Sequence, residues 1–310
     1  MTATQAIRTV AQGEHPPLQR SAEERRSRTR QRRTFWLLAA PAILGLFGSF
    51  VAPLLYMVRM AFNRGSSDGV IEETFTLDTF ARAVEDPYYW KVTLDTFLMG
   101  LTVAVLCVIV AYPIALFLMR SQSRFKSVLI ALAIAPLLTS AVVRTYGWMV
   151  ILGGGGLING TLIDLGLITI PLQLANNFTG VIIGLTEIFM PYAILAMMSG
   201  FGKLDPRLEE AAGSLGANRI RTFLKVTLPL SLPGALAAGL LVFVLAISTF
   251  VTPRLLGGGA VRVLATEIYD QATGLINWPF AAALSILLLL LFGAMIAGYQ
   301  ALVRKLGIDR

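Results

Sequence analysis

Two ionisable side chains, Arg144 and Glu187, stand inside long apolar runs of this 310-residue chain. A charge at membrane depth is expensive and marks a functional candidate by default. Counted from the outer ends of their runs at about 1.5 Å per residue, Arg144 lies roughly 10 Å deep and Glu187 roughly 12 Å. The matching depths allow a mutual ion pair near an outer gate. Arg144 could instead snorkel to the outer interface, and Glu187 could hold a protonated hydrogen bond to a neighbouring helix. Tyr146 and Trp148 follow Arg144 and either line a path or join an interfacial aromatic belt. Other chemistry finds few residues. The only histidine, His15, sits in a polar N-terminal tail, and the only cysteine, Cys107, in an apolar run. That removes disulfide frameworks, thiolate zinc sites and histidine-based triads. No G-x-x-x-x-G-K-[ST] phosphate loop occurs. The run Gly153-Gly154-Gly155-Gly156 lacks the lysine and the following amphipathic helix of a phosphate cradle. It reads as a flexible bend on the outer side.

The elements that must hold these residues are membrane helices. The chain is 55% hydrophobic and only 14% charged, with a mean hydropathy of +0.70, whereas soluble domains carry about 25% charged residues. A helical span needs about 20 mostly apolar residues, and six segments qualify. They run over about 35–58, 97–118, 127–152, 179–198, 229–250 and 280–303. Runs such as SILLLLLFGAMIAGY do not alternate and so are not barrel strands. Pro191 in the fourth segment and Pro253 beyond the fifth are expected to break regular helix.

Outside the spans, 19 of the 26 Lys and Arg fall on the side of both termini and six on the other. Basic loops stay in the cytoplasm, so both termini are expected there. Residues 1–34 are Arg- and Glu-rich without periodicity, which predicts a disordered cytoplasmic tail. It serves either as a retention signal or as a contact for anionic lipid. Residues 304–310 form a second short cytoplasmic tail. The outer segment 60–96 is acidic and is expected to hold a short surface helix, which weakly favours a cationic solute or a basic partner.

The most informative loop is KLDPRLEEAAGSLGANRIRTFLKVTLPLSLP, beginning at Lys203. Asp205 and Pro206 read as N-cap and first helical position, with Glu209 and Glu210 near the positive end of the helix dipole. Leu208, Ala211, Ala212 and Leu215 recur at helical spacing, and Gly216 ends the helix. A second amphipathic stretch leads from Asn218 to Leu228-Pro229. Small residues on one face allow close approach by a docking partner.

Glu210-Ala211-Ala212, Gly216 four positions on, and Val226-x-Leu228-Pro229 together resemble the EAA loop of ABC importer permeases, the inner-membrane components of binding-protein-dependent transport. The spacing is kept throughout, with Val226 for the usual Ile and Ser214 where many relatives have Asp. The resemblance extends over about 35–303. Arg144-Thr145-Tyr146-Gly147-Trp148, Gly156-Leu157-Ile158-Asn159 and Phe250-Val251-Thr252-Pro253-Arg254-Leu255-Leu256-Gly257-Gly258 are similar to the spermidine/putrescine-type branch.

The resemblance implies an all-α, six-helix type I importer fold in a bacterial inner membrane. It implies a non-catalytic subunit with no cofactor of its own, whose EAA loop (about 203–229) meets a separate ATPase. The contact residues carried over are Glu210, Ala211, Ala212, Leu215, Gly216 and Ala217. The implied partners are two copies of the ATPase that binds ATP, a second permease in a heterodimer, an extracytoplasmic substrate-binding protein and membrane lipid; nucleic acid is not among them. The implied solute is a polyamine or a related small organic solute, moved by alternating access. The alternative is a gradient-driven secondary transporter acting without an ATPase. Such transporters show internal repeats and coupling-ion carboxylates at midplane, and here only Glu187 could serve.

Overall fold

A computed structural model describes residues 38–65 and 71–305. The expected tail 1–34 and the last residues of 304–310 lie outside the described residues. The chain divides into two units, Met1–Arg59 and Met60–Arg310. The first carries helix α1 (Leu38–Met60, which ends one residue into the second unit), with a π-helical turn at Phe47–Val51.

The second unit opens with a two-stranded antiparallel hairpin, β1 (Arg64–Gly65) and β2 (Ile71–Glu72), paired as Arg64↔Glu72 and Gly65↔Ile71. The short surface helix expected in the acidic segment is α2 (Asp78–Glu85). Arg64 pairs with Asp78 and, by that hydrogen bond and its charge, holds the Asp78 carboxyl below its ordinary range. Asp86 Oδ1 then accepts the Tyr88 N–H at 2.9 Å and Pro87 occupies the first turn. This N-cap starts helix α3 (Pro87–Arg120) about ten residues before the apolar run it contains.

The third apolar run is not one helix, which corrects the 127–152 span. Helix α4 (Lys126–Ile134) passes into a 3-10 turn at Ala135–Leu138, and the chain becomes extended at Thr139. Pro136 brings no donor, and the Ser140 side chain accepts the Val142 N–H at 3.3 Å, so it caps a new helix, α5 (Ala141–Leu152). The glycine run then turns the chain into α6 (Leu157–Asp164). It is a hydrogen-bonded turn, not a loose bend: the Gly156 N–H meets the Gly153 carbonyl at 2.9 Å. Buried Asn159 fixes the return by bonding the Gly153 carbonyl at 3.0 Å and both backbone polar groups of Leu172 at 2.8 and 2.9 Å. By length and composition alone the two helices together, Ala141–Asp164, count as the third candidate crossing.

Helix α7 (Phe178–Gly200) runs unbroken through Pro191, contrary to expectation. Pro191 is buried in the bundle, where packing outweighs the one missing helical hydrogen bond. The next elements are α8 (Pro206–Ser214) and α9 (Arg219–Thr222), and α9 joins α10 (Leu228–Ser248) through a π-helical turn at Phe223–Thr227. That wide turn seats Pro229 without interrupting the rod. Extended Thr249 ends α10, and Pro253 lies in a separate short helix, α11 (Val251–Leu256). Helices α12 (Leu264–Tyr269) and α13 (Trp278–Lys305) complete the unit.

The core lies among α3, α7 and α10, where Met99, Val103, Cys107, Leu185, Ile194, Val242 and Phe243 are fully or almost fully buried. Small residues set the helix spacing. A Cβ on Gly200 would stand 2.5 Å from the Gly234 Cα, so α7 and α10 touch backbone to backbone there. A second cluster joins α13 to α3 and α12 through Phe280, Leu284, Tyr89 and Leu264. Among the described residues, six helical segments are long and apolar enough to cross a membrane.

Candidate functional site

The loop between α7 and α10 is built from local caps. Asp205 Oδ1 accepts the Arg207 N–H at 3.0 Å at the start of α8. At its end Gly216 takes φ +82°, the left-handed conformation that glycine adopts without steric cost. The Gly216 N–H meets the Gly213 carbonyl at 2.9 Å and the Ala217 N–H meets the Ala212 carbonyl at 3.0 Å, the paired closure of a Schellman motif. Asn218 Oδ1 then accepts the Arg221 N–H at 2.8 Å and starts α9. The motif glycine is thus a helix terminator dictated by backbone geometry.

The caps present an apolar surface. Leu215 is 89% exposed and Ile220 71%, with Leu208 and Leu224 also open. Glu210, Ala211 and Gly216 are exposed, and Ala212 and Ala217 are half-buried. The short helix pair thus leaves a run of large apolar side chains open beside small ones.

Glu209, which spacing alone did not single out, ties this surface to the bundle. Its carboxylate pairs with Arg120 at the end of α3, and Thr227 Oγ1 donates to it at 2.6 Å. Arg120 also reaches Thr227 Oγ1 at 3.4 Å. The partners lie 89 and 18 residues away, a juxtaposition that no local pattern reveals. The three side chains border a cavity of about 410 Å³ behind α8.

Toward the middle of the bundle, Arg144 Nη1 lies 3.5 Å from Glu187 Oε1, and Trp148 Nε1 donates to Glu187 Oε2 at 3.2 Å. The Arg144 side chain is 12% exposed and that of Glu187 31%. Arg144 Nε is buried without a partner among the described residues. Beside them Thr145 and Thr252 bring their hydroxyls within 3.0 Å, tying α5 to α11. Glu187 and Trp148 border an almost wholly apolar cavity of about 280 Å³ with Leu106, Val110 and Met190. Tyr146 stands apart from this group and is 54% exposed. Pro191 adds a local feature: lacking an N–H, it leaves the backbone carbonyl of Glu187 without its helical donor.

Six membrane-length helical segments among the described residues, with a capped, apolar loop at one end of a three-helix core, mark an integral-membrane protein. Residues 34–307 match the family described as binding-protein-dependent transport system inner membrane component, and the chain belongs to that family of ABC importer permeases. It is 34% identical over 265 residues to the spermidine/putrescine transport system permease protein PotB of Escherichia coli K12, covering 85% of this chain and 96% of that protein. The Salmonella typhimurium LT2 protein of the same name is equally similar, with 92% of its length covered. Among solved structures, a bacterial ABC transporter involved in import of the acidic polysaccharide alginate shares the fold, with a TM-score of 0.72 at 16% identity, covering 89% of this chain and 98% of that one. The MetNI methionine ABC transporter aligns with a TM-score of 0.53 at 18% identity over 71% of this chain and 98% of that one. The chain is therefore a multi-pass inner-membrane permease, and the gradient-driven alternative falls away.

Proposed function

We propose that this permease carries polyamine-like cations inward by alternating access, driven by a separate cytoplasmic ATPase that docks on the loop 203–229. The identity to permeases named for spermidine/putrescine transport carries the solute class. The open surface of Leu208, Leu215 and Ile220 beside Ala211 and Ala212 supports the docking. Leu215 would fill a cleft of the ATPase, with Gly216 and Ala217 allowing close approach and Glu210 at the rim. Two ATPase copies bind the ATP, a second permease completes the path in a heterodimer, and an extracytoplasmic binding protein delivers the solute. The permease needs no cofactor of its own.

Both termini face the cytoplasm, with 1–34 and 304–310 as tails and 35–303 as the transmembrane domain. The excess of Lys and Arg on that side supports this orientation. Arg144 and Glu187 act as a charge pair of the gate with Trp148 as a donor, and Tyr146 lines the path.

Replacing Gly216 by Asp tests the coupling. A side chain at φ +82° costs about 1–2 kcal/mol locally, too little to prevent insertion of a six-helix protein. Membrane levels should be unchanged while solute-stimulated ATP hydrolysis by the assembled complex falls at least about tenfold. Normal stimulation in that variant would sink the docking role.

A further inference from the structure

Asp95 sits on α3 at the end opposite Arg120, separated from the coupling loop by about 37 Å of helix at 1.5 Å per residue. It lies two residues before the apolar stretch of α3, half-buried, where an unmatched charge is costly. Its carboxylate makes no hydrogen bond and no ion pair among the described residues. It opens on a cavity of about 450 Å³ shared with Leu98, Asn176, Phe178, Val261 and Arg262.

The cavity is lined by two charged side chains, Asp95 and Arg262. Arg262 is already matched: its Nη1 lies 3.3 Å from Glu267 Oε1 and 3.1 Å from the Tyr88 hydroxyl. Asp95 has no such partner. Asn177 is consumed at the start of α7, where its Oδ1 accepts the Gly180 N–H at 2.8 Å and its amide donates to the Gln173 carbonyl. The neighbouring Asn176 side-chain amide makes no hydrogen bond among the described residues. Its backbone is fixed at φ +58° by a 2.9 Å bond from its N–H to the Leu256 carbonyl. Its side chain fills the space where a Cβ on Gly258, itself at φ +55°, would stand 2.3 Å away. The wall is therefore held in place, and only glycine fits behind it.

We infer that Asp95 and Asn176 form a docking site for a primary ammonium group of the solute, at the end of the permease remote from the ATPase. A carboxylate supplies a charge-assisted hydrogen bond, the amide oxygen accepts a second N–H, and Leu98 and Val261 cover the methylene stem. Phe178 adds an aromatic ring to the same wall. The site rests on the polyamine reading above and places one residue of the path, which the carried-over motifs did not include.

The test uses the assembled importer in nanodiscs without binding protein, with radiolabelled spermidine at equilibrium, followed by ATP-driven uptake in vesicles. The expected result is saturable binding by the wild type, weakened about tenfold or more in Asp95→Asn. Asp95→Glu should restore binding to within about threefold, with assembly on the ATPase unchanged in both. Equal binding by wild type and Asp95→Asn, with uptake intact, overturns the docking site and leaves the polyamine reading standing. No spermidine binding or uptake by the wild type overturns both. Loss of binding together with loss of assembly in both variants makes Asp95 a structural residue and overturns its role toward the solute.

Discussion

Arg144 and Glu187 meet at 3.5 Å with Trp148 as a third member, and the separation decides what a substitution does. At that distance the attraction is Coulombic more than a strong hydrogen bond, in a site that is mostly but not wholly closed. Removing one partner of a fully buried pair costs about 3–5 kcal/mol, and the partial exposure of Glu187 makes the cost here smaller. Arg144→Gln or Glu187→Gln alone should abolish most uptake while the protein still inserts. The double exchange Arg144→Glu with Glu187→Arg should recover a substantial part of it, as read by initial uptake rates normalised to membrane protein. Independent, additive losses would remove the pair from the gate. Depth counting brought these two residues together. It could not supply Trp148 as a donor, because the i+4 relation to Arg144 says nothing about a helix 39 residues further on. Asp95 escaped for a different reason: the apolar run begins after it, whereas the Asp86 cap starts the helix well before it.

At the scale of elements, the triad of Arg120, Glu209 and Thr227 connects the loop helix α8 to α3 and to the start of α10. Arg120 and Glu209 are 42% and 30% exposed, so their pair contributes at most about 1 kcal/mol to stability. Its value lies in geometry, since it ties α8 to two core helices. Glu209→Gln should therefore shift the melting temperature little but reduce the solute-stimulated ATPase rate about three- to tenfold. A large melting shift with normal stimulation would contradict that division. Helix spacing gives the opposite pattern. Gly200→Ala drives a methyl into the Gly234 backbone and, at about 1–3 kcal/mol of overpacking, should lower the melting temperature by several degrees in detergent. Four of the six apolar runs were legible from hydropathy to within a few residues, the second missed the ten residues by which α3 precedes Phe97, and the loop caps were legible from Asp205-Pro206 and Gly216. The run 127–152 was not. A hydropathy window averages over Pro136 and Ser140, whose backbone effects divide it, and the glycine run that closes α5 turns the chain instead of releasing it. The β1–β2 hairpin has two residues in each strand, too few for alternation to register.

For the molecule as a whole, the loop surface proposed for docking and the Asp95 cavity lie at opposite ends of α3, with the Arg144–Glu187 pair between them along the bundle. That order suits the proposed path, entered at one end and powered from the other. Family membership was legible because the EAA spacing is long and local, extending over one helix, its terminator and the next helix start. The proposed solute rests on relatives alone, because residues as far apart in sequence as Asp95 and Asn176 leave no local pattern.

The most direct measurement is uptake of radiolabelled spermidine into proteoliposomes holding the permease purified from native membranes with its co-purifying subunits, with the binding protein on the solute side. Uptake that requires ATP on the side of the coupling loop, and that vanishes in Gly216→Asp, is the expected result. Spermidine uptake by this chain alone under an ion gradient, without ATP or an ATPase, would contradict an ATP-driven permease coupled through that loop.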